Sequence, residues 1–179
     1  DQFAYLRDAE GFRNVLLVEQ PNGDFAVTIM RQFLYSAFML PYWRKLMGSK
    51  DETLAAIAAK AEKEVAYHVR HSAEWVIRLG DGTEESARRM AAAVEALSIY
   101  VDELFEEGAG EDVTALPERG ALREKWTATI NRIFTEAGLT FDPSQFPQTG
   151  GRQGRHGEGL GHMLAEMQSV HRAHPGATW

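Results

Sequence analysis

Glu64 and His68 stand one helical turn apart, with His71 three residues further on. A histidine and a carboxylate on one helix face can ligate a metal or move a proton. The surrounding period is helical, because Leu54, Ala58, Ala61, Val65, His68, Ser72, Trp75 and Leu79 recur at alternating four- and three-residue steps. A ferritin-like bundle builds a di-metal centre from two Glu-x-x-His motifs on two helices and a further Glu from each of the other two. Here the residue three before His68 is Val65, and no Glu-x-x-His occurs anywhere in the chain. One imidazole with one carboxylate holds first-row metals poorly. The expectation is therefore no metal ligand and no catalytic residue on this helix, with His68 a neutral core imidazole bonded to a neighbour such as Glu64 or Tyr67. His171 and His174 share an i, i+3 spacing but sit beside Pro175, as a solvated helix end.

A second candidate is the glycine-rich run from Thr149 to His162. Gly154 and Gly159 have phosphate-loop spacing, but Leu160 and Gly161 stand where Lys and Ser/Thr are required, and no buried strand precedes them. Arg152, Arg155 and His156, just ahead of a helix start, could still bind an isolated phosphate or carboxylate. The rival is a flexible solvated connection. No Ser-His-Asp arrangement or nucleophile elbow can be argued from these spacings.

The elements that must position these residues are helical. Ser49 with Glu52 reads as a capping box for a helix over Lys50 to Leu79, and Gly80 as the left-handed residue past its end. Phe12, Val15, Leu16 and Glu19 suggest a short helix stopped by Pro21-Asn22-Gly23; a hairpin of residues 15–18 with 25–29 across the Asn-Gly turn is the minority alternative. Asn22 or Asp24 then caps a helix to about Met47, which Pro41 should kink or shorten. Its apolar residues, among them Phe25, Ile29, Phe33, Leu34, Phe38 and Met39, wrap more than one face. Such a helix is either central or lies at an interface, and the expectation is an interface, with a homo-oligomer in isolation.

Thr83 starts another helix through Met90, Val94, Leu97, Val101 and Leu104, ending at Gly108. An acidic loop from Glu106 to Thr114 leads to Pro117, a first-turn residue for the helix carrying Leu122, Trp126, Ile130, Ile133 and Phe134, closed by Gly138. Phe141 to Arg155, with Pro143 and Pro147, reads as an extended loop. A last helix presents Leu160, Met163, Leu164, Met167 and Val170 on one face.

The 179 residues, 44% hydrophobic and 25% charged, suit one globular domain spanning residues 1–179. A net charge of −7 argues against a nucleic-acid partner, which needs a basic surface. With no cysteine there is no disulfide framework, zinc-thiolate site or thiol nucleophile. The longest nearly apolar run, Phe33 to Trp43, is too short to span a bilayer, and the chain reads as soluble and cytoplasmic. The first residue is Asp1 rather than Met, which suggests a proteolytic product or a fragment.

Phe12 to Ala26, Ala59 to Arg70 and Gly161 to Gln168 closely resemble the C subunits of bacterial phenylacetyl-CoA epoxidases, and the likeness runs on to Pro175 to Trp179. The resemblance implies an all-α, ferritin-like helical bundle lacking the first two helices of the longer family chains. It implies a structural subunit, not an enzyme by itself, that binds no cofactor. Its partners would be the homologous di-iron catalytic A subunit, which epoxidises the aromatic ring of phenylacetyl-CoA, and the other subunits of the complex. Under it Glu64 and His68 are vestigial, with Val65 where the catalytic relative carries a Glu ligand, and an anion held by Arg152, Arg155 and His156 would be a phosphate of coenzyme A. Two other classes stay open. One is an independent di-iron or other metal-dependent oxygenase, separated by metal analysis; the other is a stand-alone helical protein-binding module, separated by co-purification with a di-iron partner.

Overall fold

The computed structural model describes residues 2–108, 116–142 and 146–177; parts of the Glu106–Thr114 loop, and Pro143, lie outside them. The described residues are all-α, with α-helices α1 (Gln2–Tyr5), α2 (Phe25–Leu46), α3 (Glu52–Gly80), α4 (Glu84–Ser98), α5 (Arg123–Ala137), α6 (Glu158–Met167) and α7 (Ser169–Ala173). Short 3-10 turns lie at Ala9–Gly11, Leu16–Glu19, Asp102–Phe105, Gly120–Leu122 and Gly151–Gln153. The hairpin alternative fails. Residues 16–19 form a 3-10 turn, and the Arg31 guanidinium donates to the carbonyls of Gln20 and Pro21 and to the Asn22 side chain, which holds Pro21-Asn22-Gly23 as a helix approach.

Asp24 caps α2 by accepting the Val27 N–H at 3.0 Å. The helix runs on through Pro41, which removes only the N–H otherwise offered to the Ala37 carbonyl. Asp51, not Ser49, caps α3, accepting from Thr53 and Leu54 N–H; the Ser49 hydroxyl accepts from Asp51 N–H one step earlier. Gly80 is the last residue of α3 and has no positive φ. Its lack of a side chain serves packing instead, since a Cβ there would stand 2.4 Å from the Ala137 carbonyl oxygen. Thr83 and Ser86 form the capping box of α4, and Gly138, at φ 65°, ends α5 in the left-handed conformation. Pro117 lies ahead of α5 rather than in its first turn.

The four long helices are arranged as a ferritin-like bundle would have them. α2 and α3 form an antiparallel hairpin, fixed at one end by Phe25 edge-on to Trp75 (5.2 Å between centroids) and at the other by Arg44 to Glu62 (2.9 Å). α4 and α5 pack on both members of the hairpin. At about 1.5 Å per residue α3 is roughly 43 Å long, whereas α4 and α5 are each roughly 22 Å. α4 turns back at Thr83 and α5 ends beside Gly80, so both cover only the C-terminal half of α3. No residue between Ala58 and Ser72 is fully buried. The expected core seam is real at Ala58, Ser72 and Val76 but half-exposed at Ala61, Val65 and His68.

A run of aromatic contacts fills the bundle. Phe38 meets Phe105, Phe105 meets Trp126, and Trp126 meets Phe141, all edge-on at 5.4–5.5 Å. The Trp126 indole N–H donates to the Leu34 carbonyl at 3.0 Å, so this buried ring leaves no polar atom unpaired. The helix expected to continue to Gly108 breaks after Ser98 into the 3-10 turn at residues 102–105. That break carries Leu104 and Phe105 into the core and sets Glu103 beneath the later glycine run.

Candidate functional site

On α3 the two side chains that first suggest chemistry do not form a centre. His68 Nε2 lies 3.7 Å from Glu64 Oε1, beyond hydrogen-bond reach, with the His68 side chain 37% and the Glu64 side chain 74% exposed. His68 is therefore not the core imidazole expected from the seam; the described residues leave its side chain partly open. Tyr67 stacks on His71 (5.7 Å) and Arg70 lies over Tyr67, which makes the patch an exposed aromatic and cationic surface. Among the described residues no three His, Asp or Glu side chains converge. One imidazole and one distant, solvated carboxylate do not fit a di-iron group.

The glycine run is built differently from an anion loop. Glu103 is fully buried, and its carboxylate accepts three backbone N–H groups: Gly150 at 2.8 Å and Arg152 at 3.2 Å on one oxygen, Leu16 at 2.6 Å on the other. The Arg152 guanidinium is turned inward, with Nε donating to the Glu103 carbonyl at 3.0 Å and Nη2 close to that of Leu104. His156 is also turned inward. Its Nδ1 lies 2.6 Å from Glu19 Oε1 and its Nε2 3.1 Å from the Phe12 carbonyl, with both the His156 and Glu19 side chains 5% exposed. Glu19 further accepts the Asn14 amide at 2.7 Å and the Gly157 N–H at 2.8 Å. Only Arg155 of the expected trio is exposed. Arg152, Arg155 and His156 thus do not converge on a ligand.

The loop is not a flexible connection either. Two buried carboxylates fasten it to residues 12–19 and to the 102–105 turn, and its glycines permit close approach. A Cβ at Gly151 would stand 2.2 Å from the Asn14 carbonyl oxygen, and one at Gly154 2.6 Å from that of Glu10. Glu19 and Glu103 are the residues that spacing alone does not reveal. Nothing distinguishes Glu103 from Asp102, Glu106 or Glu107 until the chain folds, and Glu19 reads as one more turn of a short helix.

The interface expectation for α2 changes as well. Ile29, Phe33, Leu34 and Phe38 are at most 4% exposed and are consumed by α3, α4, α5 and the 102–105 turn, so they cannot meet a partner. Phe25 is exposed and Met39 half-buried. Large apolar side chains remain in the open elsewhere, including Ile57 and Tyr67 on α3 and Met163, Met167 and Val170 on α6 and α7. The single apolar face expected for the last helix is therefore divided, with only Leu160 and Leu164 turned inward.

A cleft of about 250 Å³ opens between the end of α4 and α5, walled by Val101, Trp126 and Phe141. Asp102 and Arg123 at its lip pair with each other at 2.7 Å, and the lining holds no histidine to serve as a base. No helix among the described residues is long and apolar enough to cross a membrane.

Comparison with known proteins adds a full-length match. Residues 1–179 match the family described as phenylacetic acid catabolic protein. The chain is also 45% identical over 185 residues to the C subunit of the 1,2-phenylacetyl-CoA epoxidase of Escherichia coli (strain K12), an alignment covering 100% of this chain and 74% of that protein.

Proposed function

This chain belongs to the phenylacetic acid catabolic protein family, and on that premise we propose that it is a non-catalytic subunit of a phenylacetyl-CoA epoxidase. In this reading it pairs with, and stabilises, a homologous di-iron subunit that performs the ring epoxidation. The observation that carries the reading is the 45% identity to a named C subunit across the whole chain. The residues agree with it. Val65 stands three before His68, where a ligating helix of this fold places Glu, and a valine packs but cannot ligate. The middle of α3 between Ala58 and Ser72, with exposed Tyr67 within it and Ile57 beside it, is left for another helical surface to cover.

The role of the chain is then one of shape. It binds and orients its partner through helix faces, while Glu103, Arg152 and the Glu19–His156 contact brace the glycine run against residues 12–19 and the 102–105 turn. The test is co-expression with the candidate catalytic subunit, followed by sizing and iron analysis. The expected result is a stable complex whose iron stays with the partner. Two irons retained by this chain alone, or no association with the catalytic subunit, would overturn the proposal.

A further inference from the structure

The cleft between the end of α4 and α5 takes no part in the buried braces or in the open middle of α3. Its volume is about 250 Å³, and its walls are Val101, Trp126 and Phe141. Val101 and Trp126 are buried, so two of the three walls belong to the core.

The walls make no polar demand. The Trp126 indole N–H is the one polar hydrogen among these three side chains, and it is already given to the Leu34 carbonyl at 3.0 Å. What remains is carbon surface. Trp126 meets Phe105 and Phe141 edge-on at 5.5 and 5.4 Å, and a further ring entering the cleft would take the same kind of geometry.

The rim sorts ligands by charge. Arg123 is spent twice, with Nη1 2.7 Å from Asp102 Oδ1 and the guanidinium 4.2 Å over the Phe105 ring. Cation and anion cancel there, so a ligand with net charge gains from one and loses to the other. The Ser98 hydroxyl is spent as well, donating to the Glu95 carbonyl at 3.0 Å. Thr127 and Asn131 are different. They stand one turn apart on α5 and line the cleft, and among the described residues neither side chain has a hydrogen-bond partner. Together they offer a hydroxyl and a carboxamide, donors and acceptors both, to an occupant.

We propose that this cleft binds an uncharged, single-ring aromatic molecule bearing a hydroxyl or carbonyl group, with the ring against Trp126 and Phe141 and the polar group on Thr127 and Asn131. The volume sets the single ring, because about 250 Å³ lies below the roughly 300–1,000 Å³ of pockets for drug-sized ligands. The carbon walls set the aromatic character, since a wholly polar ligand would leave its groups unpaired against them. The cancelled charges at the lip exclude ionised ligands. The site requires no catalytic partner, so it stands or falls apart from the assembly proposed above.

Benzyl alcohol is the probe, titrated into the full 179-residue chain and followed by nitrogen–proton NMR of amides and indoles. The expected result is saturable shifts at the Trp126 indole and the Thr127 and Asn131 amides, with a dissociation constant on the order of 1 mM for so small a ligand. Cyclohexylmethanol, which has no π face, should bind about twofold to tenfold more weakly, and benzoate at least about tenfold more weakly. Thr127→Val combined with Asn131→Ala should weaken benzyl alcohol by about tenfold, and Thr127→Phe, which fills the slot from its rim, should abolish binding. Both positions are exposed on α5, and the ranking of the three ligands on the parent chain is read whether or not the variants fold. No saturable shift in the parent, or shifts centred elsewhere on the chain, would overturn the site. So would undiminished binding in either folded variant, or benzoate or cyclohexylmethanol bound as tightly as benzyl alcohol.

Discussion

Replacing Glu103 probes the joint on which the glycine run depends. The carboxylate is fully buried and accepts three backbone N–H groups, from Leu16, Gly150 and Arg152. Glu103→Gln preserves shape. The amide oxygen can keep Gly150 and Arg152, but the new NH2 group must then face the Leu16 N–H, donor against donor. One charge-assisted bond is lost and one N–H is stranded, a loss of about 1.5–3 kcal/mol. Glu103→Ala strands all three N–H groups and removes the anion beside the inward-turned Arg152, for a loss of about 4 kcal/mol or more. Against a total stability of roughly 5–15 kcal/mol, the alanine variant should lose between about a quarter and most of it. Urea denaturation should show falling midpoints with an unchanged slope for the glutamine variant. Parent-like stability in Glu103→Gln, or an alanine variant no worse than the glutamine one, would refute the three-bond account.

Glycine substitutions should divide by what a Cβ would meet. Gly151→Ala should destabilise by about 1–3 kcal/mol, since the methyl would strike the Asn14 carbonyl, whereas Gly159→Ala and Gly161→Ala in α6 meet nothing within 4 Å and should each gain about 0.5–1 kcal/mol of helix preference in thermal unfolding. His68→Leu should change stability by no more than about 0.5 kcal/mol, as expected of a half-exposed surface position, and leave assembly with the catalytic partner intact; loss of turnover in an assembled, iron-loaded complex would give His68 a direct role. Hydrogen bonds from Arg88 and then Arg89 hold the Glu85 carboxyl down at about 2, so its contribution is present above its ordinary range near 4.5 and is lost as pH falls toward 2. Carboxyl NMR should find that midpoint, and a titration near 4.5 would show that the two arginines do not hold it in solution.

The helices themselves were legible in the residues, because their periods and stops are local. Asp24, Thr83 and Gly138 sit at the ends they terminate, and the four-three spacing of Met90, Val94 and Leu97 marks a face that is buried. The absence of Glu-x-x-His was likewise a property of the string, and the expectation that α3 holds no metal rests on it. What spacing could not decide was which neighbour covers each face. The period of α3 continues through Val65 and His68, but burial there depends on which neighbour faces that side of the helix, and the described residues leave both half-exposed. The apolar girth of α2 was equally compatible with an interface or a centre, and only the packing of three helices and a 3-10 turn around it resolved that. Glu19 read as part of a short helix, Glu103 carried no signal, and Arg152 and His156 read as an anion site or a solvated loop, because a charged residue becomes a buried brace only when distant backbone N–H and carbonyl groups are brought to it. Those partners lie 47 to 144 residues away in the chain, beyond the reach of any local pattern.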